Sequence, residues 1–462
     1  MFTYDLVIEG AHVFIDSDLH QANIAVENGK IAKISKLPMY GSKKLTLEGK
    51  ILLPGLIDIH SHMREPGYTY KEDYATGSMA AAAGGVTMFV DMPNVKPPTD
   101  SLTEFEIKRK LASEKSIVDF NHFVFPKLNQ ISLVARAGCA GFKFFMIKGE
   151  YPYDERVCIE DHGEIYKIFK TISLTGLPCV VHPSDNSLIK ALYEERIVSR
   201  STEPKFVSYG KAFTDETVYS TSVSTLLFLA AKTGVTLHIL HVQAESAIDL
   251  IRKAKQSRNV NVTAEIDPLF LLTSKTDLAR LGPLVIPGGL FSEKRSKAIW
   301  SALKDGTIDA ISTDHAPHAK SEILKTAARS PLLAPFGSPQ LEHYLPVLLT
   351  KVNSGVLNIS QLVGATSTNP ARIVNVYPRK GIIRVGSDAD LVVIDMKMKK
   401  ILSNDRLYTK VGWSPYEGKK VKGVPIMTFV RGELVMENGE VLAKPGVGKF
   451  IPPIVSKTVA AN

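Results

Sequence analysis

From about Leu53 to about Tyr377, short β-rich runs alternate with segments of helical period. The runs Leu56–His60, Thr87–Asp91, Val118–Phe123, Gly141–Phe145, Pro178–His182, Thr236–His241, Asn261–Glu265 and Asp309–Thr313 read as strands. Lys71–Ala83, Glu160–Thr171, Asp215–Lys232 and Glu293–Leu303 read as helices between them. Parallel strands need long crossovers, and helical crossovers cover the faces of the sheet. Eight such units over this length predict an α/β fold, a (β/α)8 TIM-like barrel. Both chain ends read differently. YDLVIEG, ANIAVENG, KIAKIS and KLTLEGK near the start, and ADLVVIDM and GELVMENGEV near the end, alternate apolar and polar residues around Gly-containing turns. The two ends are expected to form one small β-sandwich domain, dividing the chain into 1–53, a barrel over 54–377, and 378–462.

Charge comes next. Lys plus Arg total 56 against 47 Asp plus Glu, a net charge of +9. The basic residues are scattered, and the densest groups, Lys108–Lys110, Lys397–Lys400 and Lys419–Lys422, are short. This reads as a solvated basic surface suited to a small anionic substrate, with no nucleic acid as partner. Apolar runs such as Ile51–Ile59 fall far short of the ~20 residues that span a bilayer, so no membrane partner is expected. The opening MFTYDLVIEG has an early acid and no basic start, which argues against a signal peptide and for the cytoplasm. Cys139, Cys158 and Cys179 have no metal-like spacing, and Cys139 and Cys179 sit in apolar segments as core fillers.

In a barrel of this kind the chemistry sits at the C-terminal ends of the strands. The first strand ends in Asp58-Ile59-His60-Ser61-His62-Met63-Arg64, and alternation lets His60, His62 and Arg64 face one way. Two imidazoles at i and i+2 suit one metal ion. Lys143 lies inside the apolar run GFKFFM, where desolvation disfavours its charge. A neutral amine there can capture CO2 as a carbamate that bridges two metals; a buried Lys–carboxylate pair or a snorkelling lysine are the other readings. The fifth and sixth strands end at His182 and His241, and the eighth in Ser312-Thr313-Asp314-His315. Their concurrence at five strand ends predicts a binuclear metal site. His238 either supports a neighbouring ligand or is simply packed, with packing favoured, and His315 should face away from Asp314.

The stretch IDIHSHMREPGYTYKEDYATGSMAAAAGGVTMFVDMPN resembles the signature of dihydroorotases, in the cyclic amidohydrolase branch of the amidohydrolase superfamily. STDHAPH, APFG and WSPYEGKKVKGVPIMTFVRGELV resemble that family too, and the likeness covers nearly the whole chain. It implies that His60, His62, Lys143 and Asp314 hold one metal, and that carboxylated Lys143, His182 and His241 hold the second. The expected cofactors are therefore two Zn2+, or another divalent metal, bridged by N6-carboxylated Lys143. It further implies that Asp314 is the catalytic proton shuttle for water attacking the ring. Arg64, Asn94 and His318 would grip the substrate carboxylate, while Phe336 and Gly337 would contact the ring. The activity implied is zinc-dependent, reversible hydrolysis of L-dihydroorotate to N-carbamoyl-L-aspartate in de novo pyrimidine (UMP) biosynthesis. A homo-oligomer, or association with another enzyme of that pathway, is compatible with the resemblance.

The chain departs from the family in detail at the fifth strand's end, VVHPSDN, where His182 remains, and at two further places. After the seventh strand the family pattern E-V-x-P-H-H-L is here Glu265-Ile266-Asp267-Pro268-Leu269-Phe270-Leu271. The usual N-P-P-L-R is Pro287-Gly288-Gly289-Leu290-Phe291, without the asparagine that helps hold the ring. The metal residues are untouched, but substrate choice rests on fewer polar groups. The alternatives are another cyclic amidohydrolase, acting on hydantoins, dihydropyrimidines or allantoin, and an inactive scaffold homologue. Such scaffolds tend to lose metal ligands, and this chain keeps them.

Overall fold

The computed structural model describes residues 3–149, 154–199, 202–286, 288–329 and 336–454. Eight parallel strands stand side by side in chain order: Leu56–Ser61, Val86–Asp91, Asp119–Val124, Gly141–Phe145, Pro178–His182, Thr236–Ile239, Val262–Ile266 and Ala310–Ile311. Ser61 bridges to His315, and the His62 N–H donates to the His315 carbonyl at 2.8 Å, so the eighth strand returns to the first. The first five strands are buried on both faces, by the barrel interior and by the surrounding helices. The expected (β/α)8 barrel is present.

The fourth and fifth strands have the bounds expected from sequence. The sixth stops at Ile239 instead of reaching His241, and the eighth is only Ala310–Ile311. The backbone gives the reason. His241 and Asp314 have φ of 36° and 44°, a left-handed conformation that ends strand pairing where each side chain enters the mouth. The first barrel helix, Tyr74–Ala83, starts later than expected because Asp73 caps it, accepting from the Thr76 N–H. Lys71 therefore lies in the loop before the helix. Among the described residues, no helix is long and apolar enough to cross a membrane.

The chain ends supply two further sheets. The N-terminal segment forms a four-stranded sheet in the order Lys30–Ser35, Asn23–Glu27, Tyr4–Glu9, Gly41–Thr46. A seven-stranded sheet mixes both ends: Leu391–Ile401 pairs with Ile51–Pro54 on one side and Lys420–Val430 on the other. Leu6, Ile8 and Ile24 pack with Leu52, Leu391, Val393 and Phe429 in one apolar core between them. A buried ion cluster ties this unit to the barrel. The Lys380 ammonium lies 2.6 Å from Asp119 of the third barrel strand and 3.3 Å from Asp388, and also meets Asp390. Those three carboxylates would otherwise suit a cation, and Lys380 takes that place. Cys139 and Cys179 are buried, as core fillers should be.

Candidate metal centre and substrate cleft

Residues from four strand ends converge at the mouth. The Nε2 atoms of His60 and His62 each lie 3.2 Å from Oδ1 of Asp314, so three ligand-grade atoms meet at one point. On the opposite side Nε2 of His241 is 2.7 Å from Nδ1 of His182, and the His60 and His241 ring centres are 5.9 Å apart. Two imidazole nitrogens this close cannot both donate, so one must offer a lone pair. Arg64, His241 and Asp314 all have positive φ, 62°, 36° and 44°. Non-glycine residues hold such angles only when their surroundings enforce them, and they concentrate where side chains must be aimed.

Burial and neighbouring charge sort the protonation states. Burial pulls His60 downward, but the carboxylates of Asp314 and Glu265 outweigh it and raise its pKa. His62 is lowered to about 4 and His241 to about 3, chiefly by burial, which leaves neutral imidazoles able to bind a cation. Burial raises Asp314, yet the surrounding histidines more than reverse this and hold it ionised. Asp267 goes the other way, raised by burial and by the charge of Asp314. Lys143 is fully buried, its ammonium pKa is lowered to about 7 by desolvation, and Nζ lies 4.0 Å from the centre of the Phe145 ring. Among the described residues its Nζ and the Nδ1 of His241 have no hydrogen-bond partner. Buried polar atoms without partners are rare, and here they sit beside histidines and an aspartate. Neutral imidazoles, a carboxylate and an orphaned buried amine fit a two-metal site.

Sequence reading missed the residues behind the ligands. The His60 Nδ1–H donates to Glu265 Oε1 at 2.5 Å. The other Glu265 oxygen accepts from His238 Nε2 at 3.1 Å, and His238 Nδ1 lies 2.8 Å from the Thr263 hydroxyl. His238, for which packing was favoured over a supporting role, therefore holds the carboxylate that orients the candidate ligand His60. The available signal was an acid inside the apolar strand Val262–Ile266. Asp58 accepts from the Thr313 N–H at 2.7 Å and the Thr313 hydroxyl at 2.8 Å, which locks the strand carrying His60 to the segment carrying Asp314. Glu265→Gln should weaken metal affinity by about 10–100-fold with the fold intact, as read by chelator competition. Unchanged affinity removes Glu265 from this role.

Of the five expected substrate residues, four fall into two pairs. The Arg64 guanidinium lies 2.9 Å from His318 Nε2, and both residues are buried. Asn94 Oδ1 accepts from His62 Nδ1 at 2.7 Å, so it steadies the His62 ring. Phe336 and Gly337 border a cleft with His182, His241 and Asp314; Phe213, Leu269, Phe270 and Ile286 form its apolar wall. Arg64, Asn94 and His318 are not among the residues lining that cleft. Gly337 has φ of 154°, and a Cβ there would meet Ala316 at 2.7 Å, so glycine lets this wall approach the Asp314 loop. His315 faces the Gln340 N–H and Glu72. Pro287 lies outside the described residues.

A closed parallel barrel with histidines, an aspartate and a buried lysine at its C-terminal mouth is a hydrolase scaffold of the metal-binding kind. The chain belongs to the amidohydrolase family, whose model matches residues 51–435. It is 35% identical to a dihydroorotase of Methanothermobacter thermautotrophicus over 450 residues, covering 97% of each chain. It is also 30% identical to an L-hydantoinase of Paenarthrobacter aurescens, covering 97% of this chain and 98% of that one. The solved L-hydantoinase (dihydropyrimidinase) from Arthrobacter aurescens matches with a TM-score of 0.91 at 29% identity, over 97% of this chain and 100% of that one.

Proposed function

We propose that this enzyme is a dihydroorotase, opening the cyclic amide of L-dihydroorotate reversibly to N-carbamoyl-L-aspartate in pyrimidine synthesis. The observation that carries the reading is the buried Arg64–His318 pair, with Arg64 two residues beyond His62. A guanidinium suits the two oxygens of a carboxylate, and a ring without one offers it no such bidentate partner. Similarity to dihydroorotases over nearly the full chain supports it. His60, His62 and Asp314 would hold one divalent cation and His182 and His241 a second. Lys143, carboxylated on Nζ, would bridge them: the neutral amine bonds to CO2 and releases one proton. Two such cations, zinc first, would supply Lewis acidity, lowering the pKa of water and polarising the ring carbonyl.

The protein's own groups do the rest. Asp314, held ionised, accepts the proton of the attacking water and returns it to the departing ring nitrogen, so one C–N bond breaks and one C–O bond forms. Arg64 and His318 orient the ring through its carboxylate. Asn94 fixes His62 through Nδ1 and can turn its amide N–H groups to the same anion. Phe336 and Gly337 form the wall against which the ring lies.

A second reading is hydrolysis of uncharged hydantoins or dihydropyrimidines. It is favoured by the apolar wall of Phe213, Leu269, Phe270 and Ile286, where the family pattern has histidines at two positions. One preparation decides between them: metal content, with turnover of dihydroorotate, hydantoin and allantoin. Arg64→Met should lower kcat/KM for dihydroorotate by several kcal/mol of transition-state binding, about 2–5, and affect a neutral ring far less. Equal losses, or a wild type that prefers the neutral ring, would move the protein to the hydantoinase-like reading.

A further inference from the structure

One buried residue, Gln340, bonds to both neighbours of Asp314. The peptide carbonyl of Thr313 accepts from the Gln340 side-chain amide at 2.6 Å, and Nδ1 of His315 accepts from the Gln340 backbone N–H at 3.1 Å. The side-chain amide also donates to Asp267 Oδ1 at 2.8 Å. Its oxygen accepts from the Tyr416 hydroxyl. Gln340 is 1% exposed and Tyr416 is fully buried. Gln340 precedes the helix Tyr344–Asn353 and runs alongside the segment after Asp314, where the Ala316 N–H donates to the Ser338 carbonyl at 3.1 Å. Tyr416 comes from the connection between Leu391–Ile401 and Lys420–Val430, two strands of the sheet that both chain ends build.

Donor and acceptor chemistry fixes the orientation of the amide. A peptide carbonyl only accepts, so the Gln340 nitrogen faces Thr313 and its oxygen faces the tyrosine, which donates. Both amide hydrogens and the amide oxygen are then used. Thr313 is held on its other side as well, since its N–H donates to Asp58. The plane of the Thr313–Asp314 peptide is therefore set before Asp314, and His315 is set after it. Asp314 has a φ of 44°, which a non-glycine residue keeps only when its surroundings over-determine it. Rotation about φ carries the side chain relative to the preceding peptide plane. Holding that plane thus places Oδ1 of Asp314 at 3.2 Å from both His60 and His62.

We propose that Gln340, oriented by the Tyr416 hydroxyl, is a positioning residue for Asp314: it holds the chain on either side so that the carboxylate keeps its place beside His60 and His62 during proton transfer. This rests on the reading of Asp314 as the proton acceptor, and it applies to any cyclic amide. Through Tyr416 it gives the sheet built from the chain ends a part in the reaction.

The test is a double-mutant cycle on the full-length enzyme with metal in excess, together with crystal structures of the variants. Tyr416→Phe removes only the hydroxyl, and Gln340→Met removes the amide at nearly the same length. Tyr416→Phe should lower kcat about tenfold and Gln340→Met about tenfold to hundredfold, with KM near the wild-type value. The factors should be alike for dihydroorotate and hydantoin, because both rings need the same proton transfer. In an Asp314→Asn background either change should lower kcat by less than about twofold further, since the group it positions is gone. In the crystal structures the Asp314 carboxylate should be displaced from His60 and His62. Losses that multiply in the double variants overturn the proposal, and so does an undisplaced Asp314 in the variant structures. If Gln340→Met does not fold, Tyr416→Phe decides by the same two criteria. A near-normal Asp314→Asn with its metal in place overturns the proton-transfer reading and the purpose given to Gln340 together; a slow Asp314→Asn with multiplying losses overturns Gln340 alone.

Discussion

Replacing Asp314 by asparagine is expected to lower kcat by about 10²–10⁴ with the barrel intact, the range typical of a lost acid–base group. The substitution keeps shape and one oxygen but removes the ability to accept a proton. Asp314 has no substitute close by. Asp267, its carboxylate neighbour, is raised by burial and by Asp314 itself, and its Oδ1 accepts from the Leu269 N–H and the Gln340 amide. Of two such carboxylates only one is free to ionise, and the histidines select Asp314. Asp314 Oδ1 also lies 3.2 Å from both His60 and His62, so metal content must be measured with the rate. If metal is lost, the fall should exceed this range. A variant with a full metal complement and a near-normal rate would remove Asp314 from proton transfer.

Lys143→Ala should show the second large effect, loss of most bound metal and at least about two orders of magnitude in turnover. A plain ammonium among His60, His182 and His241 would repel cations, and a buried Nζ without a partner is itself destabilised. Carboxylation would answer both by turning the amine into an anion with two oxygens. The alanine variant leaves room for a short carboxylic acid in its place, so acetate or propionate should recover part of the activity and of the metal. Intact mass under CO2-saturated conditions and metal per chain are the direct readouts. A variant that keeps its metal and ignores added carboxylic acids would contradict the bridging role.

The barrel and the cluster of histidines, aspartate and lysine at its mouth were legible because both are local or periodic. Strands buried on two faces leave apolar runs, as at Pro178–His182, and helices between them leave a 3.6-residue period. Histidines and an aspartate at the ends of such runs have few structural reasons to be there. The sandwich from the two chain ends was legible for the same reason, through alternation at period two. The exact ends of the sixth and eighth strands were not. The left-handed turns at His241 and Asp314, φ 36° and 44°, leave no trace in residue type or period.

What only the tertiary structure decided is who stands behind each functional group. Glu265 supports His60 across 205 residues, Thr313 meets Asp58 across 255, and Lys71 reaches His318 across 247. Such pairs have no spacing to read, because barrel closure brings the first strand beside the last whatever the chain length between them. The same closure placed Asn94 on His62 and left Leu269 and Phe270 on the cleft wall. Sequence alone determined which residues can do chemistry here; the closed barrel decided which proton each one holds and which way it points.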